Sequence, residues 1–243
     1  MAEKPLSGQV ALVTGAARRI GRSIALRLAE EGASVIVNYA TAKEEAKSVV
    51  REIESRGRQA AAIRADVARR DDVRDLFAAV EREFSRLDLL VNNAGVFVRS
   101  QFEELTDEEW DRAMNVNLKS QFYCAQEAAV VMKRQGRGRI INIASLGGLL
   151  PWPHYTQYCV SKAGSIMLTR CLARALAPEI LVNGIAPGTI QFPGDEPDEE
   201  YIRRVPLHRT GAGDDIAGAV AYLATAEFVT GQILVVDGGR ALV

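Results

Sequence analysis

The chain has 243 residues, 48% of them hydrophobic and 25% charged, and its 30 basic and 31 acidic side chains leave a net charge of -1. That length and apolar content can bury one large core, and the even mixture of charge offers no basic field for nucleic acid or an anionic membrane. The N-terminal MAEKPLSGQV lacks the order of a signal peptide, no apolar run approaches the roughly 18 residues of a membrane span, and Cys124, Cys159 and Cys171 form neither a disulfide framework nor a metal-ligand pattern. A cytoplasmic protein with small-molecule partners and no metal is expected.

A first β-branched run, VALVT at 10–14, is followed by an amphipathic helical stretch near 20–31. SVIVN (34–38) and a helix near 42–56 come next, then QAAAIRA (59–65) and a helix near 71–85. LDLLVNN (87–93) leads into a long helix near 107–134, RIINIAS (139–145) into another near 156–177, and ILVNGIA (180–186) and QILVVDG (232–238) flank a last helix near 214–225. Gly32, Gly57, Gly136 and Pro178 supply stop signals between them. Strands alternating with helices from end to end predict one α/β domain, a Rossmann-type, seven-stranded parallel, doubly wound sheet. Only 188–213, rich in Pro, Gly and acids, fits neither element type and reads as a loop over the site.

Ligands of such sheets bind beyond the carboxyl ends of the strands. Those ends carry Gly15, Asn38 with Tyr39, Asp66, the NNAG of 92–95, Ser145, and Pro187 with Gly188. Turn and cap chemistry explains each alone, since Asp and Asn favour turns and Gly turns corners. Six on one rim point to a binding cleft.

TGAARRIGR (14–22) places Gly15 and Gly21 where a tight turn must let a pyrophosphate approach a helix N-terminus, although Arg19 stands where a middle glycine is usual. Arg18 and Arg19 oppose the helix dipole, a conflict that a bound phosphate removes. The second strand closes as VNYATAK, with no acid before Glu44 to hold a ribose 2′-hydroxyl, so NADP(H) is the expected nucleotide. Two solvated arginines beside a turn are the plainer alternative.

YCVSK puts Tyr158 and Lys162 one helical turn apart, and a neighbouring ammonium is expected to lower the phenol's pKa so that Tyr158 can hand a proton to a carbonyl oxygen. Ser145 offers a hydroxyl to the same oxygen. Asn117, in NVNLKS, is an unfavourable residue for a helix interior and therefore a candidate for hydrogen bonding.

TGAARRIG, NNAG, NVNL, Ser145 with YCVSK, VNGIAPG and VTGQILVVDGG, in this order and at this spacing, resemble the short-chain dehydrogenase/reductase family over almost the whole chain. The resemblance implies that Tyr158 is the catalytic acid/base, that Lys162 lowers its pKa and holds the nicotinamide ribose, that Ser145 positions the substrate oxygen, and that Asn117 supports a water in the proton relay. It implies nucleotide contacts at Gly15, Arg18, Arg19, Ile20 and Gly21 on the phosphates, at Asn38, Tyr39, Asp66 and Val67 toward the adenosine, at Asn93, Ala94 and Gly95 on the ribose side, and at Pro187, Gly188 and Ile190 by the nicotinamide. Family members are usually homotetramers or dimers joined through the helices that here lie near 107–134 and 156–177. Arg19, Phe97 and ALAPEILVNGIAPGTIQFPG (175–194) are also similar to pteridine reductases, where Phe97 would stack on a pterin, although those enzymes carry an Asp at the place of Ser145.

Ser and Tyr suit a carbonyl oxygen, whereas Asp and Tyr suit a pterin nitrogen. The expected activity is therefore NADPH-dependent carbonyl reduction, with pteridine reduction as the alternative. A non-catalytic NADP(H)-binding scaffold is the alternative of another class, but it would be expected to lose the Tyr or Lys that this chain keeps. Trp152 is expected on the substrate wall, while His154 and His208, the only histidines, are given surface or structural roles, and Phe97 is equally a hydrophobic loop anchor.

Overall fold

The computed structural model describes residues 4–243. Seven strands, β1 (Val10–Val13), β2 (Ser34–Tyr39), β3 (Ala60–Arg64), β4 (Leu89–Asn92), β5 (Gly138–Ile143), β6 (Ile180–Pro187) and β7 (Ile233–Val236), form one sheet. Every pairing is parallel and the order is β3-β2-β1-β4-β5-β6-β7. Chain direction along the sheet reverses between β1 and β4, which places a crevice at their carboxyl ends.

Strand side chains alternate between two apolar layers. Val35, Val37 and Tyr39 pack with Ile24, Leu28, Ile53 and Val220 on the face covered by α1 (Arg19–Glu30), α2 (Lys43–Ser55) and α8 (Gly213–Thr225). Leu12, Ile36, Leu90 and Ile140 pack with Leu76, Val80, Cys124 and Met132 on the face of α3 (Arg70–Phe84) and α5 (Ser120–Gln135). Burial pushes the Cys124 thiol up to about 12, which makes it a structural residue.

The long helix expected over 107–134 is three pieces: α4 (Asp107–Met114), a π-helical turn at Asn115–Lys119, and α5. α4 starts in a capping box, Thr106 Oγ1 accepting from the Glu109 amide at 3.2 Å and Glu109 Oε2 accepting from the Thr106 amide at 3.2 Å. α6 (Thr156–Leu176) is tied to the sheet by a buried polar chain. Asn92 Nδ2 donates to Asn142 Oδ1 (2.9 Å) and Asn142 Nδ2 to Thr169 Oγ1 (2.9 Å), while Ser165 Oγ donates to Gln121 Oε1 of α5 (2.6 Å). One turn nearer its N-terminus α6 nearly touches Gly148, where a Cβ would stand 2.7 Å from the Lys162 carbonyl carbon. The 188–213 segment, expected as irregular loop, contains a short helix, α7 (Glu199–Arg204), capped by Asp198. Among the described residues no helix is long and apolar enough to cross a membrane.

Candidate active site

A cleft of about 950 Å³ follows the carboxyl edge of the sheet, from Asp66 and Val67 through Gly15, Ile20 and Gly21 to Pro187, Gly188 and Ile190. All six strand ends singled out in the sequence contribute to it: Gly15, Asn38, Asp66, Asn93 with Ala94 and Gly95, Ser145, and Pro187 with Gly188. Their turn-forming roles are real as well. Asp66 Oδ1 accepts from the Ala68 amide (3.0 Å), and Asn93 Nδ2 donates to the Thr14 and Gly15 carbonyls (2.8 and 3.2 Å). Asn38 is buried and stitches the phosphate turn to β3, accepting from the Gly15 amide (3.3 Å) and donating to the Ala65 carbonyl (3.1 Å).

Tyr39 departs from expectation. It shares the sheet face of Val35 and Val37, so strand alternation sends its ring into the core, and Ala40 and Thr41 line the cleft instead.

At the turn, no side chain caps the start of α1, so its first amide groups remain available to an anion. Gly21 leaves no room for a side chain: a Cβ there would stand 2.4 Å from the Gly15 carbonyl oxygen and 2.6 Å from Asn93 Nδ2. A bare backbone, an uncapped helix start and an elongated cleft fit a dinucleotide.

The arginines have a different balance from the one their sequence suggests. Arg18 forms an ion pair with Glu45, and Arg19 forms a bidentate pair with Asp195 at 3.0 and 2.8 Å, so acids within the chain already compensate both cations. Arg19 also adopts φ 50°, the left-handed region that favours glycine, which accounts for the residue usual at that position.

Ser145, Tyr158 and Lys162 meet at the other end of the cleft. Lys162 is buried; its Nζ donates to the Ile143 carbonyl at 2.8 Å and lies 5.8 Å from the centroid of the Tyr158 ring. Burial lowers Lys162 to about 8. The phenol moves opposite to expectation: burial pushes Tyr158 up to about 12, and the Ser145 hydroxyl counters only part of the rise.

The burial comes from an aromatic wall. Trp152 stacks on Tyr158 (6.1 Å, 11°), Phe97 meets Tyr158 edge-on (4.7 Å, 76°), and Phe97 stacks on Tyr155 (4.4 Å, 4°). Phe97 and Trp152 both line the cleft, with Phe97 57% exposed.

Asn117 stands on the π turn behind the cleft, fully buried. Its Oδ1 accepts from the Val96 amide (2.7 Å), and its Nδ2 donates to the Val96 carbonyl (3.1 Å) and Ser161 Oγ (3.0 Å). A Cβ at Gly95 would lie 3.2 Å from Asn117 Oδ1 and 3.7 Å from Lys162 Nζ, so both side chains converge on that glycine. His154 and His208 do not line the cleft; both adopt positive φ (66° and 50°) in turns.

Sequence reasoning missed Tyr155 in the aromatic wall, Arg112 of α4, and Gln191, Asp195 and Glu196 of the 188–213 segment as cleft residues. The acids had a visible signal in GDEPDEE, but no local pattern said which way they face.

The family model described as "Enoyl-(Acyl carrier protein) reductase" matches residues 15–241. The chain is 46% identical over 237 residues to the 3-oxoacyl-[acyl-carrier-protein] reductase FabG of Staphylococcus aureus, covering 94% of this chain and 96% of that one. It is 40% identical over 248 residues to 3beta-hydroxysteroid dehydrogenase 1 of Eggerthella lenta, covering 98% and 95%. Among solved structures, a short-chain type dehydrogenase/reductase from Mycobacterium marinum superposes with TM-score 0.91 at 36% identity over 97% of this chain and 96% of that one. A blue fluorescent protein from a metagenomic library, in complex with NADPH, does so with TM-score 0.92 at 38% identity over 98% and 100%. These relatives are not named for pterins, and the expectation of pteridine reduction is not supported. The chain belongs to the short-chain dehydrogenase/reductase family of oxidoreductases, which act on carbonyl and alcohol groups.

Proposed function

We propose that the protein is an NADPH-dependent reductase of 3-oxoacyl thioesters. The observation that carries the reading is the convergence of Ser145, Tyr158 and Lys162 at one end of a nucleotide-shaped cleft, in a chain 46% identical to a 3-oxoacyl-[acyl-carrier-protein] reductase. The preference for the 2′-phosphorylated nucleotide is supported by Arg18 and Arg19 on the cleft, by Ala40 and Thr41 in place of an acid at the end of β2, and by the structural relative that holds NADPH.

Gly15, Gly21, Asn93 and Gly188 would hold the dinucleotide along the cleft, where it would supply hydride to the carbonyl carbon. Tyr158 Oη, held neutral by burial, gives its proton to the carbonyl oxygen, and the Ser145 hydroxyl donates a hydrogen bond to the same oxygen. A charged Lys162 beside the phenol stabilises the phenolate left behind, at a cost in burial that its lowered pKa records. Asn117 fixes the Val96 backbone and Ser161 around this pair.

A ring ketone is a second reading, favoured by the wall of Phe97, Trp152 and Tyr155 and by the hydroxysteroid dehydrogenase relative. Assembly into a homotetramer or dimer through α5 and α6 is supported by the exposed apolar side chains Phe122, Val130, Val160 and Met167 on those helices.

NADPH oxidation measured with a 3-oxoacyl thioester, a 3-ketosteroid and dihydrobiopterin tests the assignment, with NADH run in parallel. The thioester is expected to turn over fastest, and NADPH to raise Tm more than NADH at equal concentration. Turnover of the steroid alone would install the second reading, and equal thermal shifts would overturn the nucleotide preference.

A further inference from the structure

Residues 188–213 form a strap fastened at several points. At its base Ile190 and Gly211 bridge in parallel, the Gly211 amide donating to the Thr189 carbonyl and the Gln191 amide to the Gly211 carbonyl, both at 2.9 Å. Tyr201 of α7 turns back, its Oη accepting from the Thr189 amide at 3.0 Å. The tip is a tight turn in which the Asp195 amide donates to the Phe192 carbonyl (3.0 Å), the Phe192 amide donates to Asp195 Oδ2 (2.9 Å), and Gly194 takes φ 91°.

This tip reaches across to α1. Asp195 receives both arms of the Arg19 guanidinium, which also lies 4.6 Å over the centroid of the Phe192 ring. Phe192 in turn lies against Gly213 at the start of α8, where a Cβ would stand 3.2 Å from the ring. Residues 176 positions apart are thus joined by a planar ion pair and a ring contact at the same point. The backbone accepts a left-handed, non-glycine residue to put a guanidinium there. Arg19, Gln191 and Asp195 all line the cleft, so the strap crosses it from the end of β6 to the phosphate turn.

We propose that Arg19 and Asp195 are positioning residues, a clasp that holds the strap across the cleft and retains the nucleotide beneath it. The retention half of the proposal rests on the nucleotide reading above; the clasp itself does not. A guanidinium at an uncapped helix start lies where phosphate binds, so Arg19 ties strap position to occupancy of the phosphate turn.

Hydrogen exchange of amides 190–205, measured without nucleotide, tests the clasp. Arg19→Gly, which suits the backbone, and Asp195→Asn, which keeps the shape, are each expected to speed exchange by about three- to tenfold, and the double variant by no more than either single one. One molar salt should bring the wild type toward the variants. Equal exchange in all forms would overturn the clasp.

Release of NADPH, followed by stopped-flow fluorescence, tests retention. Both single variants are expected to release it about three- to tenfold faster, with Arg19→Lys intermediate because it keeps the charge and loses the fork. Faster release from Arg19→Gly but not from Asp195→Asn would place Arg19 on the phosphate alone and overturn retention by the clasp. Failure of the wild type to bind NADPH would defeat the nucleotide reading and retention with it, while the exchange result still decides the clasp.

Discussion

Replacing Tyr158 with Phe is expected to lower kcat for carbonyl reduction by about 10²- to 10⁴-fold while leaving NADPH affinity within about twofold of wild type. The substitution removes one oxygen and keeps the ring that stacks on Trp152 and meets Phe97, so the wall and the cleft stay in place. What is lost is the proton. Because burial holds the phenol neutral up to about pH 12, Tyr158 carries a transferable proton across the whole physiological range, the state that reduction requires. The reverse reaction needs the phenolate, and its rate should rise with pH in the wild type and be flat in the variant. Steady-state kinetics beside a fluorescence titration of NADPH check both halves. A kcat within about threefold of wild type would remove Tyr158 from the chemistry.

Lys162→Met is expected to abolish turnover and yet stabilise the nucleotide-free protein at pH 7 by about 2 kcal/mol. In the unfolded chain this side chain keeps its proton to about its usual 10.5, whereas burial lowers it to about 8 in the folded protein. Below pH 8 both states are protonated, and the folded state bears the full cost of a buried ammonium, about 3 kcal/mol at ~1.4 kcal/mol per pH unit. Between pH 8 and 10.5 the unfolded chain binds more protons, so wild-type stability rises with pH through that window and the cost is gone above it. Met fills a similar volume without charge, at the loss of the hydrogen bond to the Ile143 carbonyl, about 1 kcal/mol. The advantage of the variant should therefore shrink above pH 8, vanish at about pH 9.5 and give way to a wild type about 1 kcal/mol more stable by about pH 10.5. Tyr158 acts oppositely above pH 10, where its raised pKa makes the folded state lose stability, but it is common to both proteins and cancels. Urea unfolding at pH 7, 9 and 10.5 measures the trend. A variant less stable than wild type at pH 7, or a gap that ignores pH, contradicts it.

The sheet was legible because central parallel strands are buried on both faces and read as unbroken apolar runs, as Val10–Val13 and 89–91 do. The cleft was legible because topology alone brings strand ends to one edge, so polar residues after each run could be assigned to one rim. What escaped was set by distance in space. The partner of Arg19 lies 176 residues away, so the bare cations of the sequence are paired in the fold. The direction of the Tyr158 shift depends on Trp152 and Phe97 closing over the ring, which the i to i+4 spacing to Lys162 does not report. Tyr39 was misplaced by a single step of strand parity. α7 was missed because Pro and acidic residues surround a helix of six residues, too short for periodicity to show.

The π turn at Asn115–Lys119 carries one consequence for how this chain can change. Such a turn holds an extra residue in a widened ring, and here that ring presents Asn117 to Val96 and Ser161. Deleting a single residue from it would let α4 and α5 heal into one regular helix, with hydrogen bonding improved and the helix still long enough to cover the sheet. The asparagine would swing away by about 100°. Circular dichroism should then show a folded protein and an assay a dead one: the irregularity is where the molecule gives up helical perfection to set Asn117 against Val96 and Ser161.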